Sequence, residues 1–227
     1  MVDFKLEEEI EMYLSIYEDK YTEEELIFIR KNAKKFYREK IYIDVISQIL
    51  VALGRHPESN NRYKKYVEFL QLKYGINQDI LEVSCGKFPA LSKYIDEEQR
   101  KCGNGSITAY DPKLVTTSYG NIRLYNKLFD QNIDFGKFSL ITAIHPGEAT
   151  IPIIKLANQN DKDFSILTCG CTHFSDRDNF FFTPQKLSEW YNYLFELAKE
   201  NLSSDRIVEI DYIDGIKNPI ISSRKKL

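Results

Sequence analysis

Long apolar runs are missing from this 227-residue chain, and so is a surplus of either charge. No uninterrupted apolar stretch approaches the roughly 20 residues that cross a bilayer as a helix, so no membrane partner is expected. Lysine and arginine number 31 against 34 aspartates and glutamates, for a formal net charge of −3. A nucleic-acid-binding face would show a basic patch or stripe, so no nucleic-acid partner is expected either. Acidic residues (Asp3, Glu7, Glu8, Glu9) stand where a secretory signal would place a basic stretch and then an apolar one. Four cysteines in a chain of this length make no small-domain disulfide framework, and a cytoplasmic location is the resulting expectation. Histidine is scarce as well, with three in all, and no spacing suggests a nucleophilic triad.

What is present changes texture near residue 76. The chain is 43% hydrophobic, ample for a core. Residues 1–76 read as a helical N-terminal cap. Thr22 and Glu25 form a capping-box pair, followed by an apolar stripe of Leu26, Ile27, Ile29 and Ala33. Residues 41–53 are apolar almost throughout and end at Gly54, as a buried helix or a subunit interface would. His56, Pro57, Glu58 and Ser59 read as a break, and Tyr63, Tyr66, Val67 and Leu70 mark a further helix stopping near Gly75. Oligomeric state stays open.

From residue 77 to 227, short β-like runs over 80–85, 106–110, 122–128, 138–144 and 164–169 alternate with helical stretches over 89–100 and 150–158. Such alternation calls for βαβ crossovers and a parallel sheet with both faces covered. A long helix over 184–201 precedes two more strands, 206–212 and 219–223, joined at Asp214 and Gly215 as an edge hairpin. The expected fold class is α/β: a seven-stranded, mostly parallel Rossmann-like sheet whose last strand is antiparallel.

The first strand runs through Glu82 and Ser84 to Cys85, Gly86 and Phe88, with Pro89 opening a helix. A strand–turn–helix junction of this kind points backbone N–H groups at a ligand. This segment resembles motif I of the class I S-adenosylmethionine (SAM)-dependent methyltransferases, an acidic residue followed by alternating glycines. Glu82 and Gly86 match the acidic position and the middle glycine, while Ser84 and Phe88 stand at the outer glycines. Asp111 follows the second strand, where an acidic side chain can accept both ribose hydroxyls of a nucleoside, or simply start a loop before Pro112. Asn126, or Asp130, follows the third strand, where SAM enzymes often meet adenine; both also suit an ordinary loop.

After the fourth strand come His145, Pro146, Gly147 and Glu148, at the motif IV position of the same family. Pro146 matches the amino-methylating enzymes, and His145 replaces their amide or acid. The stretch also looks like an Arg-Pro-Pro segment in a small group of Rossmann-like archaeal proteins. A neutral imidazole there can accept a substrate proton, with Glu148 orienting it or acting itself; a turn-capping histidine is the plainer alternative. Cys169, Cys171 and His173 alternate at the end of the fifth strand, but no second metal-ligand element accompanies them, and no metal is expected.

The resemblance implies SAM as cofactor, held by the turn containing Glu82, Ser84, Gly86 and Phe88, by Asp111 and by Asn126, with His145 and Glu148 as catalytic candidates. The implied activity is methyl transfer to a small-molecule substrate. Two alternatives stay open: aminocarboxypropyl transfer, as in the nicotianamine synthase class, and a degenerate non-catalytic SAM- or nucleoside-binding module.

Overall fold

A computed structural model of the protein describes residue 27 and residues 57–87, 89–114, 120–169, 175–176, 180–181, 187–216 and 218–226. The chain divides into two compact units, Met1–Asn60 and Asn61–Leu227. Most of the expected helical cap, and with it the apolar stretch over 41–53, lies outside the described residues.

Strand-forming runs and helical ones alternate along the second unit as expected. Helix α1 (Pro57–Tyr74) leads to β1 (Asp79–Val83), α2 (Ala90–Cys102), β2 (Ser106–Tyr110) and β3 (Arg123–Tyr125). There follow β4 (Leu140–Ile144), α3 (Thr150–Gln159), β5 (Asp163–Leu167), α4 (Leu187–Lys199), β6 (Arg206–Asp211) and β7 (Ile220–Lys225). A two-residue ribbon pairs Ser175–Asp176 with Phe180–Phe181 apart from the main sheet.

The seven strands are ordered β3-β2-β1-β4-β5-β7-β6. Strands β1 to β5 are mutually parallel, and β7 runs antiparallel between β5 and β6. The order reverses direction between β1 and β4, which opens a crevice at the carboxyl edge of the strands.

Neighbouring residues on the central strands feed two separate cores. Ile80, Leu140, Leu167 and Ile220 pack with Tyr66, Val67 and Leu70 of α1 and with Leu91 and Ile95 of α2. Leu81, Ile141, Ile166 and Ile221 pack on the other face with Ile153 and Ile154 of α3 and with Trp190 and Leu194 of α4. Both faces are therefore buried, which is why these strands read as continuous apolar runs. Each such buried side chain contributes about 1.5–3 kcal/mol.

Two sequence expectations need correction. The supposed break at Pro57, Glu58 and Ser59 is already helical, because a proline in the first turn gives up only an N–H that has no intrahelical acceptor. The third strand is shorter than 122–128. It pairs with β2 alone, and the chain turns after Tyr125, where the Lys127 N–H donates to the Tyr125 carbonyl at 2.9 Å.

Polar contacts fix α1 on the sheet. The Tyr66 side chain is fully buried; its hydroxyl donates to the Ser165 carbonyl at 2.8 Å and lies 3.1 Å from Thr142 Oγ1. Thr142 and Ser165 are direct cross-strand partners, so two polar residues in the middle of the sheet are satisfied by one tyrosine. Lys73 pairs with Asp211, and with Glu209 at 3.1 Å, tying the end of α1 to β6.

Candidate functional site

Parallel strands place their carboxyl ends on one edge, and most of the polar residues singled out in the sequence collect there. The turn after β1 is built on left-handed backbone at Ser84 (φ 60°) and Gly86 (φ 79°). Ser84 thus adopts the conformation that a motif glycine would supply, at the steric cost a side chain carries there. Its N–H donates to the Tyr110 carbonyl at 2.8 Å, which holds the turn against the end of β2.

Asp111 joins these loops. It is buried, with Oδ2 accepting from the Gly86 N–H at 2.9 Å and Oδ1 from the Lys113 N–H at 2.7 Å. Its own N–H donates to the Tyr125 carbonyl at 3.2 Å, so β1, β2 and β3 all end on this residue. Asn126 is exposed and donates through Nδ2 to the Leu114 carbonyl, holding the chain that follows Asp111. The rings of Tyr110 and Tyr125 stack beside it, 4.7 Å between centroids.

Glu82 points to the helix that follows it. Its Oε2 accepts from the N–H of Ser92 at 2.9 Å and from the Ser92 hydroxyl, inside the first turn of α2. Burial pushes its pKa up to about 7, the Ser92 hydrogen bonds oppose this, and the Asp111 carboxylate adds to it. Cys85 is buried in the same turn, and desolvation, with Glu82 and Asp111 nearby, drives its thiol pKa far above the ordinary range. A thiol so held stays protonated and is no nucleophile. Phe88 lies outside the described residues, as do Cys171 and His173.

His145 stands at the end of β4 with left-handed backbone (φ 49°), its N–H donating to the Leu167 carbonyl at 2.8 Å. Arg62 Nη1 lies 3.2 Å from its Nδ1 and Asn218 Nδ2 lies 3.3 Å from its Nε2. His145 is an exposed residue, yet desolvation of the ring first and the Arg62 charge second lower its pKa to about 4, so the ring is neutral at pH 7. Glu148 is exposed in the short 3-10 turn Gly147–Ala149 that follows. Sequence reasoning had no signal for Arg62 or Asn218, which lie 83 and 73 residues from His145 along the chain.

One acidic acceptor beside a tight backbone turn, at the reversal point of an open sheet, suits a nucleoside carrying adjacent hydroxyls. Each Asp111 oxygen takes one backbone N–H and keeps acceptor capacity for a further donor, so these residues fit the ribose of SAM. Among the described residues no group of three or more metal-ligating side chains forms, and no helix is long and apolar enough to cross a membrane.

Comparison with solved structures gives the fold. A proposed SAM-dependent methyltransferase from Methanococcus maripaludis superposes with a TM-score of 0.52 at 16% identity, over 87% of this chain and 93% of that one. The fold is that of the class I methyltransferases. The plantazolicin methyltransferase BpumL bound to SAH is a more distant match, with a TM-score of 0.47 at 11% identity over 86% of this chain and 98% of that one. A variant of MtNAS bound to SAM scores 0.47 at 10% identity, over 87% of this chain and 73% of that one. Neither a family model nor a curated protein matches the sequence.

Proposed function

We propose that the protein is a SAM-dependent methyltransferase acting on a small-molecule acceptor. The observation that carries this reading is the buried Asp111 carboxylate, which joins the Gly86 turn to the loop after β2 at the reversal point of a methyltransferase-type sheet. Fold alone does not assign chemistry, and what favours this chemistry is that residue in that place.

Asp111 would hold the ribose hydroxyls, and the turn through Ser84 and Gly86 would present its backbone to the amino-acid end. Glu82 would act through Ser92, setting the start of α2. Asn126 shapes the loop nearest the base. When bound, SAM supplies an electrophilic methyl group on a sulfonium. The chain's own task is then to position an acceptor and exclude water, which needs little side-chain chemistry. His145 and Glu148 stand on the opposite, β4 side of the crevice, the side left for the acceptor. A ring with a pKa of about 4 is a poor general base near pH 7 and serves better as a neutral hydrogen-bonding group.

Charge favours a small molecule over a polyanion, since the net charge is −3. Calorimetry on the full chain with SAM, S-adenosylhomocysteine, methylthioadenosine and NAD tests the cofactor. Binding of the first two and not of NAD is the expected result, and a folded protein that binds none of them rejects it. Turnover releases S-adenosylhomocysteine if methyl is transferred; methylthioadenosine as the product would establish aminocarboxypropyl transfer instead.

A further inference from the structure

Around His145 the hydrogen-bonding groups do not balance. The Asn218 amide is oriented by the Thr168 carbonyl, which takes an Nδ2–H at 2.9 Å and could take nothing from the amide oxygen. Asn218 therefore turns a donor toward Nε2, and Arg62, which can only donate, turns another toward Nδ1. A neutral imidazole offers one lone pair and one N–H. In either tautomer one N–H faces another, and protonating the ring adds a further donor and a second positive charge beside Arg62. Among the described residues no carboxylate pairs with Arg62, and the influences on the ring are its own desolvation and Arg62.

The group is held in place from several directions. Lys65, one helical turn beyond Arg62 on α1, donates to the Asp214 carbonyl at 2.6 Å and so fixes the hairpin loop that carries Asn218. The Thr168 N–H and hydroxyl both donate to the Pro219 carbonyl, at 3.0 and 2.8 Å. These ties give the donors a fixed arrangement at the acceptor side of the crevice.

We propose that Arg62, His145 and Asn218 form a carboxylate-recognition site, and that the acceptor is an acidic small molecule. A carboxylate accepts from Arg62 and from the ring N–H at Nδ1, while Nε2 accepts from the Asn218 amide, which removes the donor conflict and neutralises the single net charge of the group. One planar anion with two oxygens matches one guanidinium and one neutral donor better than a doubly charged phosphate does. The identity of the bound molecule as the acceptor rests on the transferase reading above; carboxylate binding itself does not.

The test is an NMR titration of the labelled full-length chain, with the His145 ring signals assigned by His145→Gln. Propionate should shift those signals saturably, with or without S-adenosylhomocysteine, and propionamide should not. Arg62→Met should weaken that binding by about tenfold to a hundredfold, the usual worth of a charge-assisted hydrogen bond. Arg62→Lys, which keeps the charge, should retain part of it and serves if the methionine variant does not fold. Asn218→Asp places a carboxylate beside the ring within the chain, and should raise the His145 pKa and abolish the propionate response.

Absence of a saturable shift with propionate overturns the site, as does an equal response in folded Arg62→Met or saturation by inorganic phosphate at lower concentration. Displacement of propionate by S-adenosylhomocysteine would assign the site to the cofactor's own carboxylate and overturn the acceptor assignment. If propionate binds as stated while no SAM-type ligand binds, the transferase reading falls and the carboxylate site stands.

Discussion

The backbone N–H of Gly86 donates to Asp111 Oδ2 at 2.9 Å, so one carboxylate holds the turn after β1 and the loop after β2 in register. The relationship spans 25 residues and a complete crossover. It makes Asp111 a structural tie, to which the proposed function adds the binding of a ribose.

Asp111→Ala should therefore lower SAM affinity by on the order of 1.5–3 kcal/mol, or about 10- to 100-fold, by calorimetry. It should also lower the melting temperature, because two backbone N–H groups lose their acceptor. Asp111→Asn separates the effects: it retains one oxygen acceptor. Unchanged SAM affinity in Asp111→Ala would remove this residue from the site.

Ser84 carries a side chain at φ 60°, where glycine has no steric penalty. Ser84→Gly should stabilise the fold by up to about 1 kcal/mol in urea unfolding, and Ser84→Val should destabilise it by about 1–2 kcal/mol. A loss of stability in the glycine variant would mean that the serine side chain holds the turn by contacts that outweigh the strain.

Glu82 sets a pH dependence whose sign is the reverse of the usual carboxylate case. Its folded-state pKa is about 7, above the ordinary 4.5, so the folded protein keeps a proton that the unfolded chain releases between those values. The stabilisation is fully present below pH 4.5 and is lost as pH rises through about 7. Glu82→Gln should flatten this part of the stability profile, with a difference on the order of 1–3 kcal/mol between its ends. Parallel profiles for the two proteins would show that Glu82 ionises normally.

Tyr66→Phe should cost about 1–3 kcal/mol with an unchanged denaturant slope, since it strips a partner from Ser165 and Thr142 in the middle of the sheet. A neutral result would require Thr142 and Ser165 to satisfy each other across the β4–β5 pair.

Much of the fold was legible in the residues. Strand β2 falls on 106–110 as read, and the other strands differ from expectation by a few residues at their ends. The match follows from burial: helices cover both faces of a parallel sheet, so its strands must be apolar in succession and separated by amphipathic crossovers. The site was legible only in part. Gly86 donates to Asp111 and Ser84 to the neighbouring Tyr110 carbonyl, because the turn after β1 and the end of β2 belong to one βαβ unit. Glu82 was expected to help hold the cofactor, whereas its engagement with Ser92 depends on the helix lying back over the strand.

By itself, the amino-acid sequence determined the α/β layering, the reversed terminal strand and the placement of an acidic group after β2. Those follow from local patterning and short-range connection rules. Only the tertiary structure decided that Ser84 takes a glycine-like conformation, and that Arg62 and Asn218 converge on His145. Such contacts join helix, strand end and hairpin loop across long separations, and a periodic pattern of apolar residues carries no record of which loops will meet.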